Sequence, residues 1–145
     1  MWRQAFEPGC NISSDKQDAS FQGHQEDKHR VTFKHAGDVF SVDSVCDDGY
    51  AINFYPRNAP PPKKRIEKGY SLTHPKMFVM LDDLPNQYYT CGMNNIFISA
   101  KFFQAAYTET KSKTMVSGVF RKNGRGLPNF IVQEYYATYR KKLIT

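Results

Sequence analysis

A hairpin signal that gives way to helices limits the folds open to this chain more than any other feature. From Asp38 to Cys46, Val39, Ser41 and Asp43 alternate with Phe40, Val42 and Ser44, and a β-rich run from Tyr50 to Tyr55 follows the turn residues Asp47-Asp48-Gly49. A period of two turns one side of each run toward a core, and so short a turn makes the two runs antiparallel. With a short extended piece at Ala19 to Gln22, the spacing predicts a meander of three strands. Pro56 to Pro62 breaks that pattern, because Ala59-Pro60-Pro61-Pro62 favours an extended loop, which runs into Lys63-Lys64-Arg65.

Helical spacing takes over downstream. Thr73 suits an N-cap and Pro75 a first helical turn, with Met77, Met80 and Leu81 on one face and a stop before Pro85. Tyr88 to Met93 reads as extended. Ser99 then caps a helix from Ala100 to about Thr110, with Phe102, Phe103, Ala106 and Tyr107 at helical spacing, and Met115 to Arg121 follows as a strand. Tyr135 to Lys142 suits a short last helix, although Tyr and Thr are weak helix formers. The order β-β-β-α-β-α-β is that of an α/β fold whose meander is followed by strands separated by helices.

Composition excludes several classes of function. The 145 residues suit one domain. Met77-Phe78-Val79-Met80-Leu81, the longest apolar run, is too short to span a bilayer, and the first residues lack the basic-then-apolar order of a signal peptide. A soluble, intracellular chain without a membrane partner is expected. Cys10, Cys46 and Cys91 are widely spaced and contain no CxxC, so neither a disulfide framework nor a zinc knuckle is supported. His24, His29, His35 and His74 show no HxH or HExxH spacing and read as loop or surface residues; Asp47-Asp48 and Asp82-Asp83 read as a turn and a helix end.

Charge is unevenly spread. Residues 1–50 hold 5 basic and 9 acidic side chains, 51–100 hold 6 and 3, and 101–145 hold 9 and 2, which leaves the second half strongly cationic. Lys and Arg that neutralise phosphates release condensed counterions, so such a half suits a polyanion, with a merely solvated surface as the alternative. The candidate DNA-binding cations are Lys63, Lys64, Arg65, Arg121, Lys122 and Arg125, with Lys141 and Lys142 at the end of the chain. Gly124-Arg125-Gly126 is a weak phosphate-cradle signal.

Two distant segments carry the candidate chemistry. Ser14-Asp15-Lys16-Gln17-Asp18-Ala19-Ser20-Phe21-Gln22-Gly23 resembles the DEQ…F(R/Q)G stretch of piggyBac-type transposases, and Gly92-Met93-Asn94-Asn95-Ile96-Phe97-Ile98-Ser99 resembles their MDN(L/W)(F/Y)(T/N)S stretch. The run from Gly37 to Tyr50 is similar to the family's G…F…(L/C)CD…GY hairpin, and Gly118 to Pro128 to its GT(V/T)R…N(R/K)…LP element. Together these segments cover about Pro8 to Pro128. The resemblance implies a ribonuclease H-like mixed sheet of DDE type over residues 1–128, incomplete at its C-terminus, with 129–145 a basic, Tyr-rich tail.

In that family each of the two segments gives one acid to a two-metal site for cutting and joining DNA, with Mg²⁺ as cofactor. Two divalent cations about 3.5–4 Å apart clamp the attacking and leaving oxygens of a phosphoryl transfer and want anionic oxygen ligands. Here Asp15 stands at the first acid position and Asn94 at the second. The family's third acid lies in a GVDxxD-like segment beyond the LP element, which this chain lacks, and nothing marks Glu134 as its substitute. Lys16, in place of the family's Glu, is expected to set a cation beside Asp15 and oppose metal binding. The expectation is a transposable element-derived, catalytically inactive domain. Asp15 would be a remnant and at most a weak metal ligand, with no working cofactor, non-specific salt-dependent DNA affinity and a nuclear location if DNA is bound. Sheet surface left uncovered is expected to favour self-association. A host-adopted DNA-binding or protein-interaction module, and a nuclease subunit completed by another chain, are the alternatives.

Overall fold

The computed structural model describes residues 7–20, 24, 26, 28–30, 37–66, 68–85 and 88–120, without the side chains of His29, Lys64 and Arg65. The expected strand from Met115 ends at Gly118, short of Val119 and Phe120, while Arg121, the tail 129–145 and its helix at Tyr135 to Lys142 lie outside these residues. Six strands and three helices follow one another as β1 (Asn11–Ser20), β2 (His29–Arg30), β3 (Asp38–Asp47), β4 (Tyr50–Pro56), α1 (Lys63–Ile66), α2 (Thr73–Asp82), β5 (Thr90–Met93), α3 (Ala100–Glu109) and β6 (Met115–Gly118).

The hairpin forms as its sequence dictates. Asp47 pairs with Tyr50, and the two residues between them, Asp48 at φ 44° and Gly49 at φ 83°, both take the left-handed conformation of a two-residue turn matched to strand twist. On its other side β3 pairs antiparallel with β1, which in turn pairs parallel with β5, and β5 parallel with β6. The sheet therefore runs β2-β3-β1-β5-β6, with β4 also on β3. Parallel neighbours need crossovers, and α2 and α3 supply them.

β1 differs from expectation. It begins at Asn11, well before Ala19, because a strand with one large apolar residue, Ile12, can still bury alternate positions: Ile12 and Ser14 are inside, Ser13, Asp15 and Gln17 outside. Small Ser14 lets α2 approach, and its hydroxyl donates to Met77 Sδ at 3.4 Å. β2 and α1 had no counterpart in the sequence pattern.

Both crossover helices are held by aromatic contacts. Phe78 of α2 and Phe102 of α3 meet edge to face at 5.0 Å between ring centroids, and Tyr70 joins Phe78 at 5.1 Å. Met77, Phe78, Leu81, Phe97, Phe102 and Ala106 have no solvent exposure. Ser99 caps α3 as expected, its Oγ accepting from the Phe102 N–H at 3.1 Å. Thr73 does not cap α2. Leu72, already helical, takes that position, and the Thr73 hydroxyl meets Ser71 Oγ at 3.1 Å. Among the described residues, no helix is long and apolar enough to cross a membrane.

The covered face holds one buried carboxylate. Asp43, in the middle of β3, is 0% exposed and accepts no hydrogen bond among the described residues, while Arg57 Nε lies 3.4 Å from Oδ1. Burial pushes its carboxyl above the ordinary 3.8 in spite of the Arg57, Lys76 and Lys16 charges. Burial also lowers the Lys76 ammonium from its ordinary value, and that group donates to the carbonyls of Pro56 and Arg57.

Phe102→Ala should cost about 3–5 kcal/mol, because it empties the joint between the helices. Urea denaturation measures this, and a loss below about 1 kcal/mol would mean that the helices close the gap. Asp43 offers a pH test. Its pKa is raised on folding, so its contribution favours the folded chain below the unfolded value and is lost as pH rises through the folded one. Asp43→Asn cannot ionise, so the melting temperature of the variant minus that of the wild type should increase between about pH 3 and about pH 7. A difference that stays constant would show that Asp43 ionises alike in both states.

Candidate functional site

The β1–β5 ladder assembles the site. Its last partners are Ser14 and Met93, so the next residue of each strand, Asp15 and Asn94, must come out side by side. The Asn94 N–H reaches the Ser14 carbonyl at 3.4 Å, and from the other neighbouring strand the hydroxyl of fully buried Ser44 donates to the Asp15 carbonyl at 3.1 Å. Thus the backbone of Asp15 is held from both sides while its side chain stands in solvent.

The two side chains bond directly. Asn94 Nδ2 donates to Asp15 Oδ1 at 3.3 Å across 79 residues of sequence, well within the roughly 8 Å expected of side chains sharing a two-metal site. Since a carboxylate only accepts, the amide must turn its NH₂ toward it. The Lys16 N–H donates to the same Oδ1 at 2.7 Å.

Lys16 corrects the expectation of a repelling cation. Strand alternation sends its side chain to the opposite face from Asp15, where Nζ pairs with Asp18 at 2.9 Å. What Asp15 meets is the peptide N–H of Lys16, not its charge. His74 is a second correction. It lies in the first turn of α2, buried and stacked on Phe102 at 4.8 Å, and burial pulls its imidazole down to about 4. The turn and helix-end readings of the acid pairs agree with the geometry: Asp47 accepts from the Gly9 N–H at 2.7 Å and Asp82 from the Lys111 N–H at 3.0 Å. Burial pushes the Cys91 thiol up to about 12.

A pair of divalent cations does not fit these residues. Hard ions need several anionic oxygens, and the site has one carboxylate, one of whose oxygens is occupied by two N–H donors. No group of three His, Cys, Asp or Glu side chains suited to a metal occurs among the described residues.

Of the candidate DNA-binding cations, Lys63 is exposed on α1, which follows β4, a strand that runs parallel to β1. The side chains of Lys64 and Arg65 and all of Arg121, Lys122 and Arg125 lie outside the described residues. Lys101, which sequence reasoning did not select, opens α3 shortly after Asn94 and lies over the Tyr70 ring, 4.6 Å from its centroid. A single Lys in a helical pattern carries no signal that would have marked it.

An antiparallel meander continued by parallel strands and crossover helices, with the paired residues on the central strand and its parallel neighbour, is a ribonuclease H-like fold. The chain is similar in structure to part of a piggyBac transposase, solved as a synaptic complex with hairpin DNA, at a TM-score of 0.58 and 19% identity over 86% of this chain. It spans only 26% of that transposase chain. No protein-family model matches the sequence. No curated protein matches it either.

Gly118 seats the last strand beside this site. A Cβ there would lie 2.3 Å from the Met93 carbonyl oxygen, immediately before Asn94, and 2.3 Å from Ile98 Cδ1. Gly118→Ala should therefore cost about 1–3 kcal/mol in urea denaturation. An unchanged midpoint would show that β6 shifts freely.

Proposed function

We propose that the chain is a transposase-derived, ribonuclease H-like domain of the piggyBac type that binds DNA through charge and does not cut it. The observation that carries this reading is the amide at the second acid position, bonded to the first acid at 3.3 Å. An amide carbonyl ligates a cation weakly and adds no charge to hold two, so the Lewis acid that strand transfer requires has no adequate seat. The fold likeness and the basic second half support retained affinity for DNA, and a nuclear location would follow from it.

The test combines binding and cleavage. Fluorescence anisotropy with a duplex and a hairpin should give a Kd of about 10⁻⁴–10⁻⁶ M at physiological salt, independent of sequence and weakening as salt rises. Changing Lys63, Lys64 and Arg65 together to Glu should weaken binding and flatten the salt slope by about 2–3. With Mg²⁺ or Mn²⁺ neither DNA should be nicked. Cleavage abolished by Asp15→Ala would overturn the inactive reading, and cleavage only after adding a second transposase chain would identify a subunit completed in trans. Affinity that ignores salt and survives the triple change would identify an interaction module instead.

A further inference from the structure

We infer that the Asn94 amide has taken over the place of a cation, making the Asp15–Asn94 pair a metal-free fastening between the ends of β1 and β5. This rests on the reading that the site no longer holds metal. It adds that the site has acquired a mechanical role.

Electrostatics gives the reason. Two acids at these positions would set like charges at hydrogen-bond distance, a repulsion that a bound cation or a shared proton must relieve. An amide reverses the sign, because its N–H donates into the carboxylate and a charged acceptor makes the stronger bond. The geometry has this form: Asn94 Nδ2 and the Lys16 N–H converge on Asp15 Oδ1, at 3.3 and 2.7 Å. Because Ser44 holds the Asp15 carbonyl and the Asn94 N–H reaches Ser14, the two side chains meet with little freedom left to lose. A bond between preorganised groups joins β1 and β5 just past Ser14 and Met93, the last pair of their own ladder.

The exchange of partners tests this. Three proteins are melted in EDTA and in millimolar Mn²⁺: the wild type, Asn94→Asp and the double exchange Asp15→Asn/Asn94→Asp. In EDTA, Asn94→Asp should melt about 3 °C below the wild type. Added Mn²⁺ should restore it, increasingly with concentration, since a ligand of the folded state alone stabilises that state. The double exchange, with one carboxylate and one amide again, should melt like the wild type in EDTA, and neither should respond to Mn²⁺. If Asn94→Asp does not fold, the double exchange decides alone, with wild-type melting supporting the fastening and a lower value in EDTA overturning it. A wild type that rises with Mn²⁺ as Asn94→Asp does would make the pair a cation site. Since DNA affinity is read separately in EDTA, its absence would sink the proposed DNA binding and leave these shifts intact.

Discussion

The register of one short parallel ladder governs the rest of this structure. Ser14 opposite Met93 brings Asp15 beside Asn94, and with the period of two it also decides which residues face α2. A slip of one residue would turn Asp15 in against Met77 and put Ser14 outside. The ladder's parallel sense obliges the chain to cross over twice, so α2 and α3 lie together and Phe78 meets Phe102. The aromatic core is thus a consequence of the strand pairing.

Much of the fold was legible because local chemistry agreed with the global arrangement. Asp48-Gly49 can adopt the two positive φ angles that a tight hairpin demands, and Ser99 can offer its oxygen to an unpaired N–H. From its own residues β1 was legible only at its end, Ala19 and Ser20. Its interior side is Ile12, Ser14, Lys16 and Asp18, and no hydrophobic rhythm marks a strand whose buried places are half polar. Likewise, the juxtaposition of Asp15 with Asn94 followed from motifs, since a contact across 79 residues leaves no trace in composition. The direction of Lys16 follows from alternation once β1 is known to be a strand, whereas the burial of His74 and the encirclement of Asp43 depend on which face a neighbour covers, and no local pattern encodes that.

The fold and its chemistry are separable here. The paired side chains are themselves exposed, while the groups holding their backbones in place are buried Ser44 and the ladder amides. An acid can become an amide at such a place without disturbing what lies beneath. The buried layer beneath therefore sets no requirement for an acid at either position.

Lys76 has a consequence for the loop after β4. Its buried ammonium holds the carbonyls of Pro56 and Arg57, and the Tyr55 hydroxyl holds that of Pro60 at 2.9 Å. With Pro60, Pro61 and Pro62 stiffening the rest of the loop, the approach to Lys63 is already ordered before any partner arrives. The loop thus delivers Lys63 to the surface on a backbone that has little entropy left to surrender on contact with anything that meets it.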